Sequence, residues 1–143
     1  MTDIFRSLGR RDALALRDEA HKLTGTQIID REAAIPAFNP EKDYSVCPVG
    51  TPVADDGQVW KLIQPYNAAH YVGHPAELRA LWGLVHTTNP LRAKGWVDPL
   101  GTSGMYMQGE CYAAEDGAVY RAKRDNLVKD AAALPEAWEA VQL

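Results

Sequence analysis

The stretch "DGQVWKLIQPY", Asp56 to Tyr66, is written again in looser form sixty positions later as "DGAVYRAKRDN", Asp116 to Asn126. Asp-Gly suits tight hairpin turns because both residues tolerate positive φ, and residues alternate between the two faces of the strand that follows. Trp60 and Leu62 therefore fall on one side, with Val59, Lys61 and Ile63 on the other. In the second stretch Tyr120 and Ala122 take the places of Trp60 and Leu62. Lys61 or Arg121 alternates with the aromatic and can lay its stem along apolar surface.

Each hairpin is followed by a segment that brings a tryptophan back: "HPAELRALWGLV" and "LPEAWEAV". Pro75 suits a helix start, with Leu78, Leu81 and Trp82 on one face. Tyr44 and Tyr106 precede the hairpins. The ordered set of Tyr, Asp-Gly, Val-aromatic-basic and Pro-Glu-Trp predicts a duplication of a small unit. At about 40–45 residues neither unit buries enough surface alone, so shared aromatic packing is expected.

The expected organisation is a helical segment over 1–35, a first β unit over 36–88, a connector over 89–104 and a second β unit over 105–143. Residues 10–24, "RRDALALRDEAHKLT", place Leu16, Ala20 and Leu23 on one helical stripe, with Gly25 as the stop. "TQIIDREAAIPAFNP" has room for a further short turn before Pro36 and Pro40. The stripe has two readings: packing on its own domain, or coupling to copies of itself or to a larger assembly. A short helix is marginal in water without a partner, and a β body closed by its own tryptophans has little apolar surface to offer. The expectation is therefore attachment or self-association through Leu16, Ala20 and Leu23, with a trimer as the closed form. In the connector, Asn89-Pro90 can open a short helix that Gly95 stops.

The chain has 143 residues, a net charge of −4, 46% hydrophobic and 24% charged residues, which offers no basic footprint for nucleic acid. No apolar run reaches the roughly 18 residues of a membrane span. "MTDIFRSLGRRDAL" carries charges where a signal peptide is apolar, so synthesis in a cytoplasm without a signal peptide is expected. Cys47 and Cys111 are too few for a disulfide framework; they read either as separate thiols or as one bridge between the halves. His21, His70, His74 and His86 form no metal-ligand pattern. "PLGTSG" lacks the lysine of a phosphate loop, and Ser103 lacks a nucleophile-elbow motif. Asp55-Asp56 and Glu115-Asp116 read as turn chemistry rather than catalytic pairs. No catalytic residue, metal or cofactor is expected.

The pattern Asp-Gly-x-Val-Trp/Tyr-basic, loop, Pro and closing Trp resembles the small chitin-binding carbohydrate-binding modules of families five and twelve. Residues from about Leu23 to Val141 also resemble proteins encoded among the tail genes of phages and prophages of Gram-positive bacteria. The segments that carry this are "LTGTQIIDREAAIPAF", "VWKLIQPYNA", "LWGLVHTTNP", "AKGWVDPLGTSGMYMQGE" and "GAVYRAK". The resemblance implies a mainly β fold with an N-terminal helix and two tandem antiparallel-hairpin modules. It implies Trp60, Trp82, Tyr120 and Trp138 as scaffold core. The modules lay exposed aromatic faces on sugar rings, and their stacking ring follows the hairpin aromatic by about four residues. Gln64 and Arg124 stand there, so that platform is not carried over. Tyr66, His70 and Tyr71 in the loop and Trp96 in the connector are the replacement glycan-contact candidates, with loop packing as the other reading; Tyr106 and Tyr112 lie nearby. The implied function is a non-catalytic virion protein of the phage tail or its receptor-binding apparatus, bound to other tail proteins or to copies of itself. The alternatives are a lectin-like module for host cell-wall polysaccharide and, more distantly, an intracellular inhibitory or sequestering protein.

Overall fold

The computed structural model describes residues 13–101 and 103–143. Residues 13–19 are helical and tighten into a 3-10 turn at Ala20–Lys22. Residues 10–12 of the expected helix lie outside the described residues. Gly25 does not simply stop it. It opens a second short helix, α1 (Gly25–Asp30), capped by Thr24: its hydroxyl accepts from Gln27 N, and the Gln27 carboxamide accepts from Thr24 N. Gly25 is needed for close approach, since a Cβ there would sit 2.3 Å from the carbonyl oxygen of His86.

The N-terminal stripe packs on the chain's own body. Leu16 and Ala20 are buried with Ile28, Ile29, Ile35, Val59 and Val85, and Leu23 packs against the same cluster. The stripe is filled from within the chain, in line with the own-domain reading. Part of the apolar surface for it comes from β2: Val59 is buried on the face opposite Trp60 and Leu62, so this face is covered at Val59 while Lys61 beside it is exposed.

The chain is mainly β, with two sheets. The first is antiparallel, β1 (Pro52–Asp55), β2 (Gln58–Leu62) and β3 (Trp82–Leu84) in that order. The second runs β4 (Lys94–Gly95), β5 (Cys111–Ala113), β6 (Val119–Ala122) and β7 (Trp138–Val141), with β4 parallel to β5 and the rest antiparallel. At the first hairpin Asp56 (φ 50°) and Gly57 (φ 74°) both take left-handed backbone, as a two-residue turn of this hand requires. The second loop is one residue longer. Ala114 N donates to Ala118 O, Gly117 alone is left-handed (φ 89°), and the Asp116 carboxylate accepts from Ala118 N.

The ladders run in matching register. Leu62 pairs with Trp82 and Trp60 with Leu84; Ala122 pairs with Trp138 and Tyr120 with Ala140. Gly50 N donates to Leu62 O and Gly109 N to Ala122 O. The return segments also match: Leu78 N donates to His74 O and Leu81 N to Leu78 O, while Leu134 N donates to Asp130 O and Ala137 N to Leu134 O. This alignment pairs Leu78 with Leu134 and places Pro75 opposite Ala131, so the two prolines read as counterparts are not equivalent. The helix expected from Pro75 is also absent; residues 74–81 are turns and a strand begins at Trp82.

The segment expected as a connector supplies an edge to the second sheet. Gly95 pairs in parallel with Ala113 in β4–β5, as Ala37 does with Ala54 in an isolated bridge beside β1. Asn89 caps a 3-10 turn at Pro90–Arg92, while Gly95 continues into β4 rather than ending a helix. The rings follow the same plan. Phe38 stacks on Tyr44 (5.8 Å) and meets Trp82 edge-on (5.8 Å); Trp96 stacks on Tyr106 (4.9 Å) and meets Trp138 edge-on (6.0 Å). Cys47 and Cys111 are both buried and free, which excludes the bridge between halves.

Candidate functional site

The residues singled out as glycan contacts fall in two different aromatic clusters. Tyr66 is buried: its ring stacks on Tyr44 (6.1 Å) and its hydroxyl accepts from the Trp82 indole at 2.8 Å. Removing that hydroxyl from water is compensated by the bond, and burial raises the Tyr66 phenol pKa. Tyr71 is 56% exposed and meets Tyr66 edge-on at 5.6 Å, with exposed His70 at the end of the preceding 3-10 turn. Trp96 belongs to the other cluster, half-buried among Tyr106, Tyr112 and Trp138. Tyr66 and Tyr71 thus touch, but Trp96 packs into a separate group of rings. Of the four scaffold residues, Trp60, Trp82 and Trp138 are buried, and Tyr120 is half-buried, stacked on Tyr112 at 5.5 Å.

Two of the concave regions gather titratable side chains beside aromatic or apolar ones. One is the seam between the halves, lined by His21, Lys61, His86, Met107 and Glu110. Two of its polar groups, His86 and Glu110, are engaged by backbone groups. His86 donates through Nε2 to Gly104 O at 2.8 Å, because a carbonyl can only accept, which assigns the neutral Nε2–H tautomer. Burial lowers the His86 pKa to about 4, the Gly104 carbonyl opposes this, and the nearby Arg79 charge adds to it. Glu110 accepts from Met107 N at 2.7 Å, and burial raises its carboxyl. Tyr106 beneath His86 is held protonated far above the usual phenol range by burial, with the Glu110 charge a smaller cause. The His86–Tyr106 stack joins the halves, as does the bond from Cys111 N to Thr87 O at 2.8 Å, whereas the Glu110 bond is local to the second half.

The other is a groove on the second sheet of about 850 Å³, within the roughly 300–1,000 Å³ of small-ligand clefts. Trp96 and Tyr120 present partly exposed rings to it, above buried Tyr112 and Trp138. Glu115, Asp116 and Asp130 stand along it, and no Lys, Arg or His lines it among the described residues. Asp116 and Asp130 each bond a backbone N–H, of Ala118 and Ala133, through one oxygen. A carboxylate has two acceptor oxygens, so each keeps capacity for another donor.

The sequence points to Trp96 and, nearby, Tyr112, but not to the carboxylates that share the groove with them. Tyr120, which the resemblance implies as scaffold core, is half-buried and lines the groove. Glu115 and Asp116 were seen only as turn residues. The signal that could have separated the halves is at position 135, where proline stands opposite Arg79. Groups of His, Cys, Asp and Glu arranged to hold a metal ion are absent among the described residues. The chain matches no known family model and no curated protein.

Proposed function

We propose that this chain is a non-catalytic virion protein of a tailed phage or prophage, associated with the tail or receptor-binding apparatus. Its body is read as a tandem pair of small β modules of carbohydrate-binding type. The tandem part is supported by the common ladder, in which Leu62–Trp82 and Ala122–Trp138 hold the same place after each hairpin. The matching stacks of Phe38 on Tyr44 and Trp96 on Tyr106 support it independently. The phage part rests on the resemblance of residues 23–141 to tail-gene products. Co-purification decides it: the chain should band with intact particles at a fixed, integral stoichiometry. Recovery only in the soluble lysate of infected or induced cells overturns the virion assignment.

A lectin-like role is the second reading, favoured by Tyr71. Its ring is exposed yet braced edge-on by buried Tyr66, so a sugar face could stack on it with little loss of side-chain entropy. Tyr71→Ala should then abolish retention on insoluble host cell-wall polysaccharide while leaving the unfolding curve unchanged. Equal retention of the variant and the parent removes this reading.

A further inference from the structure

Arg79 and Pro135 occupy the same place in the two return segments, three residues before the tryptophans that open β3 and β7. In the first half the guanidinium of Arg79 lies over the Trp60 ring, 5.0 Å from its centroid. It is fixed there by main-chain oxygens: Nε donates to Ala76 O and Nη2 to Asp98 O, both at 3.1 Å. The first half is therefore a seat for a planar cation with its cation already in place. A guanidinium suits it because it is weakly hydrated and stacks on aromatic faces.

The second half repeats the aromatic position and the return-segment alanine of this seat, without the occupant. Tyr120 stands at the ladder position of Trp60, and Ala132 stands opposite Ala76, both lining the groove. Proline replaces the arginine. Trp96 adds a second aromatic surface, and Glu115, Asp116 and Asp130 add negative charge with no basic residue lining the groove among the described residues. The aromatic floor attracts a cation through its π face, and the carboxylates favour the same sign of charge.

We propose that this groove seats an arginine side chain of a partner protein, in the manner of Arg79 on Trp60. The proposal is independent of the virion assignment: it concerns the chemistry of one groove, whereas particle co-purification tests where the chain resides. The two can fail separately.

The test uses the full chain labelled with ¹⁵N and N-acetyl-arginine amide as probe, with N-acetyl-lysine amide and an N-acetylglucosamine oligosaccharide as comparisons. The arginine derivative should shift the Trp96 indole N–H saturably at about millimolar concentration, the range of weak fragment contacts. The lysine derivative should bind more weakly because a compact ammonium stacks less well. Glu115→Gln, on an exposed turn, should weaken arginine binding about two- to fivefold, the range of a single exposed charge pair. Pro135→Arg should remove it by seating an internal guanidinium, and that variant should keep a dispersed spectrum. No saturable shift at Trp96, no change in Glu115→Gln, or tighter binding of the saccharide than of the arginine derivative overturns the proposal. Should Pro135→Arg fail to fold, Glu115→Gln decides alone.

Discussion

His86 lies flat against Tyr106, ring centroids 3.6 Å apart and planes 20° from parallel, joining a residue just after β3 to one just before β5. The contact buries a titratable ring at the seam. Its pKa is lowered from 6.5 to about 4 in the folded chain, so between those values the unfolded chain binds more protons. Stability should therefore be complete above about pH 6.5, fall as pH drops through this window, and level off below about pH 4, with a total loss of about 3 kcal/mol from this group. Glu110, raised by burial, acts in the opposite sense: its contribution is present at low pH and is lost as pH rises through its folded pKa. His86→Gln keeps a donor for Gly104 O but cannot titrate. Denaturant unfolding between about pH 4.5 and about pH 7.5 should show a flatter pH slope for the variant than for the parent. An identical slope removes His86 as the source.

Trp82 and Trp138 belong to the two aromatic clusters, each at the first position of the last strand of its sheet. Trp82 is fully buried and donates to Tyr66 Oη, while Trp138 donates to Lys129 O at 2.9 Å. Trp82→Ala should cost about 3–5 kcal/mol, with Trp138→Ala in the same range. Tyr66→Phe removes only the acceptor for the Trp82 indole and should cost about 1–3 kcal/mol. Equilibrium unfolding followed by fluorescence and circular dichroism measures all three.

Gly25 offers a sharper packing test. An added Cβ would meet His86 O at 2.3 Å and Val85 Cγ1 at 3.1 Å, and a backbone oxygen cannot swing aside. Gly25→Ala should therefore destabilise the chain by about 1–3 kcal/mol, although alanine is the better helix former by about 1 kcal/mol. A stabilised variant would mean that α1 and the His86 backbone do not meet in solution.

The hairpins were legible in the sequence because Asp-Gly and strict alternation are local signals, and Trp60 and Leu62 do share a face. What misled was composition taken without register. Pro75 and Pro135 look like counterparts when each is read toward its tryptophan, yet hydrogen bonding aligns Leu78 with Leu134. Trp96 seemed to lie in a connector because two residues of parallel pairing at Lys94–Gly95 leave no period to detect. The groove was hidden for a related reason. Its carboxylates come from a turn and from the start of a return segment, and only the fold brings these beside Trp96.

The N-terminal segment gives the last prediction. Leu16, Ile28 and Ile29 are fully or nearly fully buried and share a cluster with Val59 and Val85 of the first half. Three buried aliphatics at about 1.5–3 kcal/mol each are a large share of a small protein's stability of about 5–15 kcal/mol. A chain beginning at Ile35 should therefore unfold or aggregate, since Val59 loses the cover on its face of β2. Leu16→Ala should cost about 2–5 kcal/mol, and that cost should not change with protein concentration. Concentration dependence is the discriminating readout: stripping an interface between copies lowers stability less as the chain is diluted, because the parent dissociates too. Thermal unfolding of Leu16→Ala and the parent over a hundredfold range of concentration separates these outcomes. A cost that shrinks on dilution would place Leu16 between copies rather than in the chain's own core.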